Sequence, residues 1–207
     1  MSDHIFLSDC EDVSEEIDAS RNPSDKIERA LLEAAGKGKL EVVTEIISRN
    51  PNLINATDAD QYTPLHRACY SNKVDIVKYL VEHGADLSAL TELKWQPLHC
   101  CSHWGHADCA AVLLENGADP NALTEGGQTP LHIAATKPGG YKIVQLLLMH
   151  EGTDPNIQNG NGEIAYDLAK RSSQYYNIFE MADPSFSIEN INKLEGDIKS
   201  NTKNIKG

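Results

Sequence analysis

Apolar positions along this chain fall into blocks that recur. Val74, Ile76, Val77, Leu80 and Val81 form one block, Cys109, Val112, Leu113 and Leu114 a second, and Ile143, Val144, Leu146 and Leu147 a third. Within each block the spacings of three and four mark one face of a helix. Ahead of each block stands a tetrapeptide: Thr63-Pro64-Leu65-His66, Gln96-Pro97-Leu98-His99 and Thr129-Pro130-Leu131-His132, with starts 33 residues apart and then 33 again. Threonine at an N-cap accepts a hydrogen bond from a free amide of the first turn, and proline at N1 loses nothing by lacking an N–H. Each tetrapeptide therefore opens a short helix, and each block supplies a second. Gly84-Ala85-Asp86 and Gly117-Ala118-Asp119 close their units 21 residues past the tetrapeptide start, whereas Gly152-Thr153-Asp154 stands 23 past its own. The two added residues are expected in the Pro138-Gly139-Gly140 turn and near Glu151.

The pattern extends to both sides. Asn22-Pro23 reads as N-cap and N1 of a helix through Ile27, Leu31, Leu32, Ala34 and Ala35, and Gly36-Lys37-Gly38-Lys39 turns the chain into a partner helix from Leu40 to Ile47. Downstream, Ile164-Ala165-Tyr166-Asp167-Leu168-Ala169 takes the tetrapeptide register without its Pro or His, and Tyr175, Tyr176, Ile178, Phe179 and Met181 supply an aromatic second helix. The expected units are 22–57, 58–90, 91–123, 124–158 and 159–182, between an acidic tail (1–21) and a C-terminal tail (183–207). The expected core also includes Ala68, Leu98, Cys101, Leu131 and Ala134. A period of this length marks stacked repeats, and five helix pairs exceed the roughly three that such a stack needs.

Motif, period and second-helix pattern together resemble the ankyrin repeat. The resemblance implies an all-α solenoid of about five helix-turn-helix repeats, with finger-like turns beside a row of first helices forming a concave face. The first and last units, which lack the tetrapeptide, are expected to be caps whose outer side meets water. Asp58-Ala59-Asp60-Gln61-Tyr62 before Thr63 and the stretch Tyr166 to Ser173 are more distinctive than the generic repeat. Their likeness to one branch of the family implies a small non-enzymatic protein with a nuclear, gene-regulatory role.

Charge narrows the partners. The formal net charge is −13, and the first twenty residues hold Asp3, Asp9, Glu11, Asp12, Glu15, Glu16 and Asp18 without a Lys or Arg. Phosphate backbones would be repelled, so no direct nucleic-acid binding is expected. The tail's composition favours disorder, and its plain reading is a solubilising segment. A sharper reading makes Ile5-Phe6-Leu7 a docking motif, and a third makes the segment a transcriptional activation region. Five cysteines, three of them at 100, 101 and 109, do not form the framework of a secreted disulfide domain. No apolar run is long enough for a membrane span, and acids stand where a signal peptide needs positive charge. An intracellular monomer, cytoplasmic or nuclear or both, is expected.

Cys100, Cys101, His103, His106 and Cys109 hold sulfur and imidazole within ten residues, which leaves a metal-binding reading open. Their spacing is not that of a zinc finger, and Cys101 and Cys109 occupy positions filled by Ala68 and Ile76 in the preceding unit, so packing is the expected role. His66, His99 and His132 lie at one point of successive repeats, about 10 Å apart if the helices stack as neighbours do. That spacing suits structural ties between turns and excludes shared coordination. No catalytic pairing and no cofactor are expected, and Gly126-Gly127 and Gly160-Asn161-Gly162 lack the Lys-Ser/Thr of a phosphate loop.

The binding reading is a protein–protein interaction module, an intracellular adaptor or regulator. In the ankyrin class the variable positions are the fingertips, the residue before the tetrapeptide and the end of the first helix. These map to Asp60, Tyr62, Tyr70 and Ser71; to Leu93, Trp95, His103 and Trp104; and to Glu125, Gln128, Thr136 and Lys137. Both tryptophans of the chain fall among them, and Trp and Tyr dominate interface hot spots. The competing reading packs Trp95 and Trp104 against the neighbouring finger. Gln61 and Lys94 stand where Gly127 and Gly162 occupy later fingers, so those two fingers are expected to be strained or altered. Asn121 and Asn156, each two residues after an acid and eight after a leucine, resemble the ankyrin asparagines hydroxylated by an oxygen-sensing hydroxylase. The simpler reading makes them turn residues.

Overall fold

The computed structural model describes residues 26–172 and 177–179. The expectations for both tails, for the Asn22-Pro23 helix start and for Tyr175, Tyr176 and Met181 lie outside the described residues. Among those described there are nine α-helices and no strand: α1 Lys26–Lys37, α2 Leu40–Arg49, α3 Pro64–Tyr70, α4 Val74–Glu82, α5 Pro97–Trp104, α6 Ala107–Glu115, α7 Pro130–Ala135, α8 Tyr141–Met149 and α9 Ala165–Ser172. A 3-10 turn, Pro51–Asn55, follows α2, and residues 177–179 are helical. Odd-numbered helices pack in one row, α1 on α3 on α5 on α7 on α9, and α2, α4, α6 and α8 pack in a second row behind them. The core runs between the rows. Leu65, Leu98 and Leu131 of the tetrapeptides are at its centre, as are Ala68, Cys101, Ala134, Ile76, Cys109 and Ile143. Val74, Val81 and Leu146, expected fully inside, are partly buried against its edge, because their helices turn that flank toward solvent.

The tetrapeptide explains the stacking. Thr63 caps α3 by accepting from the His66 N–H at 3.3 Å, while the Thr63 N–H donates to His66 Nδ1 at 3.2 Å. This is a reciprocal capping box in which imidazole replaces the usual Glu or Gln. The other ring nitrogen, Nε2, lies 3.0 Å from the carbonyl of Trp95 in the next unit. Thr129 and His132 repeat the arrangement, with His132 Nε2 3.0 Å from the Glu163 carbonyl. His99 accepts from the Gln96 N–H at 3.0 Å and places Nε2 3.0 Å from the Ala122 carbonyl. A carbonyl can only accept, so Nε2 carries the proton and Nδ1 keeps its lone pair.

The fourth unit carries its extra residues where expected. Tyr141 follows Pro130 by one residue more than Val74 follows Pro64 or Ala107 follows Pro97, and Asp154 lies one residue further past the end of α8 than Asp86 lies past α4. Gly140 ends the first insertion, and a Cβ there would stand 2.1 Å from the Ala134 carbonyl oxygen.

Two predictions follow from the caps. Burial lowers the pKa of His66 and His99 from 6.5 to about 4, and lowers that of His132. The unfolded chain therefore binds more protons than the folded one between pH 6.5 and about 4. Stability should be complete above pH 6.5 and fall across that window, by up to about 3 kcal/mol for each of the two deepest histidines, in urea melts at stepped pH. The second concerns Gln96, whose Oε1 is buried without a hydrogen bond while the His99 N–H turns to the Gln96 carbonyl at 2.9 Å. Gln96→Thr should restore the cap and raise unfolding free energy by about 1 kcal/mol; an unchanged denaturant midpoint would contradict this.

Candidate interaction surface

Four fingers share one construction. The backbone closes with N–H to carbonyl bonds from Asp58 to Tyr62, Thr91 to Trp95, Thr124 to Gln128 and Asn159 to Glu163, at 2.9 to 3.2 Å. The side chain of the first residue accepts the return N–H in each: Asp58 from Tyr62 at 2.8 Å, Thr91 from Trp95 at 3.1 Å, Thr124 from Gln128 at 3.1 Å and Asn159 from Glu163 at 3.0 Å. Consecutive fingers are tied by Glu92 N–H to the Asp60 carbonyl, Glu125 N–H to the Leu93 carbonyl and Gly160 N–H to the Gly126 carbonyl, at 3.0 to 3.2 Å. The tip residue has positive φ in every case, 65° at Gln61, 59° at Lys94, 69° at Gly127 and 77° at Gly162. Gln61 and Lys94 thus keep the glycine turn and bear its strain, roughly 1 kcal/mol each.

Beside the fingers, the ends of the odd-numbered helices form a floor, and the structure brings several expected residues together there. Tyr70 meets Trp104 edge-to-face with ring centroids 5.0 Å apart, Trp104 meets His103 at 4.9 Å, and His103 meets Trp95 at 5.4 Å. Four rings thus form one continuous row across two repeats. Trp104 is 39% exposed, and Tyr70 and His103 are half-buried. Burial, helped by the nearby Lys137 charge, lowers the His103 pKa to about 4, so this ring is neutral near pH 7.

Trp95 corrects an expectation. It is 6% exposed and belongs to the core, with its backbone held by Thr91 and by His66 and its ring against His99 and His103. Its indole is a wall under the floor, with little surface left for a partner. Tyr62, Asp60, Ser71, Gln128, Thr136 and Lys137 are half-buried, and Leu93 and Glu125 are exposed on the fingers. Thr136 spends its hydroxyl on the Ile133 carbonyl at 2.8 Å.

Sequence reasoning missed Arg67. Its guanidinium lies 5.1 Å from the Tyr62 ring centroid and pairs with the buried Asp58, fixing the base of the first finger. The signal was there: Asp58 and Arg67 stand together where the next units carry Thr91 with Cys100 and Thr124 with Ile133.

The cysteine and histidine cluster disperses. Cys69, Cys100, Cys101 and Cys109 are all buried free thiols, and burial pushes Cys69 and Cys101 up. Cys109, beside the Cys101 thiol at hydrogen-bonding range and also buried, is raised too, and its thiol donates to Asn72 Oδ1 at 3.4 Å. His106 Nδ1 sits 2.9 Å from the Cys69 carbonyl, tying one outer turn to the next. Among the described residues no three His, Cys, Asp or Glu side chains converge to hold a metal ion. Asn121 bridges repeats, donating to the Gly152 carbonyl at 2.7 Å and accepting from the Asp154 N–H at 2.9 Å. Asn156 is exposed, its N–H held by Asp154 at 2.9 Å.

Stacked helix pairs, tetrapeptide caps and interlocked fingers define a class, and comparison with known proteins agrees. The family model described as ankyrin repeats (3 copies) matches residues 10–91, 31–124 and 88–159, so the chain belongs to the ankyrin-repeat family. Such repeats are protein-interaction modules. Within the family the chain is similar to ankyrin repeat domain-containing protein 49. Identity with that protein from Homo sapiens is 54% over 155 residues, 75% of this chain and 65% of the relative. The Drosophila melanogaster counterpart is 45% identical over 186 residues, 89% of this chain and 86% of the relative. The chain therefore spans 65% of the human relative's length. A shorter stretch of 61 residues is 41% identical to palmitoyltransferase akr1 of Schizosaccharomyces pombe, covering 30% of this chain and 10% of that protein.

Proposed function

We propose that the chain is a non-enzymatic adaptor or regulator that captures a protein partner on the inner face formed by the fingers and the odd-numbered helix ends. The observation that carries this reading is the ring row Tyr70, Trp104 and His103, partly open to solvent on a rigid scaffold and backed by Trp95. Aromatic anchors with few rotatable bonds bind at low entropic cost. Asp60, Tyr62, Ser71, Leu93, Glu125, Gln128 and Lys137 would form the rim. A single copy presents the whole face, so the protein would work as a monomer. Four buried free thiols support an intracellular, reducing location. Among the described residues no helix is long and apolar enough to cross a membrane. A nuclear, transcription-regulating role would draw on the acidic segment 1–21, which lies outside the described residues.

Tyr70→Ala with Trp104→Ala should weaken partner capture at least about 30-fold, equivalent to 2 kcal/mol or more, while the thermal midpoint falls by only a few degrees. Trp95→Ala should behave differently, costing about 3 kcal/mol or more of folding stability as a core truncation does. Undiminished capture by the Tyr70/Trp104 double variant, measured by titration calorimetry with an isolated partner, would overturn the reading.

We also propose Asn156 as a hydroxylation site ahead of Asn121. Asn121 holds two repeats together with both ends of its amide, whereas Asn156 is exposed in the turn after α8. Peptide mass spectrometry after incubation with an asparaginyl hydroxylase, oxygen and its co-substrate should find one added oxygen on the Asn156 peptide. Addition at Asn121 alone, or at neither, would contradict the assignment.

A further inference from the structure

Charges on the inner face are unevenly spread. Fingers carry the acids Asp60, Glu92 and Glu125 beside one cation, Lys94. The corresponding two positions at or just past each inner-helix end run Gly36-Lys37, Tyr70-Ser71, His103-Trp104, Thr136-Lys137 and Arg171-Ser172, three cations and no carboxylate, in a chain of net charge −13. The floor thus reads cation, aromatic, cation along its length. Lys37 and Arg171 already pair with Glu33 and Glu163 at 2.6 Å, but their side chains are 61% and 67% exposed. Ion pairs with cations this exposed contribute little and exchange readily for other carboxylates.

One segment of the chain has the complementary pattern. Residues 1–20 hold seven carboxylates and no Lys or Arg, around the apolar triplet Ile5-Phe6-Leu7. That segment joins the structure at Lys26, the first residue of α1, about 17 Å along the helix from Lys37 at the floor. Twenty-five residues extend to about 80 Å, and Phe6 alone can reach about 65 Å from Lys26. Five helices stacked about 10 Å apart make a floor of only about 40 Å. Reach, charge and the single apolar triplet all match.

We propose that the N-terminal segment of this chain docks in cis along the helix-end floor, with Phe6 against Tyr70 and Trp104 and its carboxylates beside Lys37, Lys137 and Arg171. The proposal rests on the reading of the inner face as a binding surface and adds its first occupant. A partner must then displace this segment, so the acidic tail sets the threshold for capture. Partners that succeed would themselves carry acidic residues around an apolar anchor.

The chain supplies its own probe site. The four cysteines of the described residues are buried, so a thiol-directed nitroxide applied to the native full chain should add at Cys10. Expected is at least a twofold loss of NMR intensity at the Trp104 indole and the Tyr70 and Lys137 amides, restored when ascorbate reduces the label. The loss should shrink in 0.5 M salt, where screening falls within about 4 Å, and in the Phe6→Ser chain. Lys137→Glu with Arg171→Glu should also abolish it, and Lys94→Glu on the finger should not. Broadening confined to the first turn of α1, or broadening that fades on dilution and so reports contact between copies, would overturn the proposal. Either result leaves partner capture through Tyr70 and Trp104 as a separate measurement, so the two readings fail independently.

Discussion

The stack depends on one imidazole used from both sides. In each complete repeat the histidine of the tetrapeptide caps its own helix through Nδ1, and through Nε2 His66 and His132 reach the next repeat's backbone while His99 reaches Ala122 at the end of its own. An isolated helix pair cannot bury its apolar face, so a repeat protein is held by contacts between neighbours. Here the polar part of that contact and the helix start are the same residue. The ties enclose loops of different length, 29 residues from His66 to Trp95, 23 from His99 to Ala122 and 31 from His132 to Glu163, so the chain between the two ends can vary. The fourth repeat takes its extra residues inside that loop, between α7 and α8 and after α8, and the tie from His132 to Glu163 encloses the longer chain.

Fingers illustrate a second constraint. Each is closed by a hairpin bond, a side-chain bond and a bond to its neighbour, so the tip residue has no freedom to leave positive φ. Glycine meets that demand at Gly127 and Gly162 without cost. At Gln61 and Lys94 the turn is retained and the strain is borne by the residue, since the surrounding bonds over-determine the backbone. Asn72, also at positive φ, is a residue type that tolerates it, and its side chain accepts from Cys109.

Much of this was legible in the sequence because it is local or periodic. Helix starts at Pro64, Pro97 and Pro130, the turn glycines and the apolar faces are set by spacing alone. Trp95 was misread because position in the repeat does not fix burial: a residue before the tetrapeptide is half-exposed as Tyr62 and as Gln128, yet buried as Trp95. Indole is large enough to fill the gap between its own finger and the His99 and His103 rings, which the smaller or differently shaped residues of the other repeats do not do. The aromatic row itself was half visible. Position mapping brought Tyr70, His103 and Trp104 to one face, but their edge-to-face order depends on the rise and rotation between repeats. Arg67 escaped because one charged residue in a core register looks like noise until Asp58 is set beside it.

Local imperfections gather around that row. Gln61 and Lys94 carry backbone strain, Gln96 leaves a buried oxygen unsatisfied in place of a cap, and the Ser102 hydroxyl is buried without a partner next to His103. These four lie between residues 61 and 102, in the two repeats that supply the aromatic row, and one more, the buried Thr153 hydroxyl without a hydrogen bond, lies in the fourth unit. The third complete repeat has the threonine cap and the glycine fingertip. In a one-dimensional stack, free energy lost in a repeat stays with that repeat and its neighbours. A solenoid selected only for stability would place threonine and glycine at these positions, as it does one repeat further on. Departures that cost local stability and coincide with an open aromatic floor are what a binding surface leaves in a scaffold otherwise built by rule.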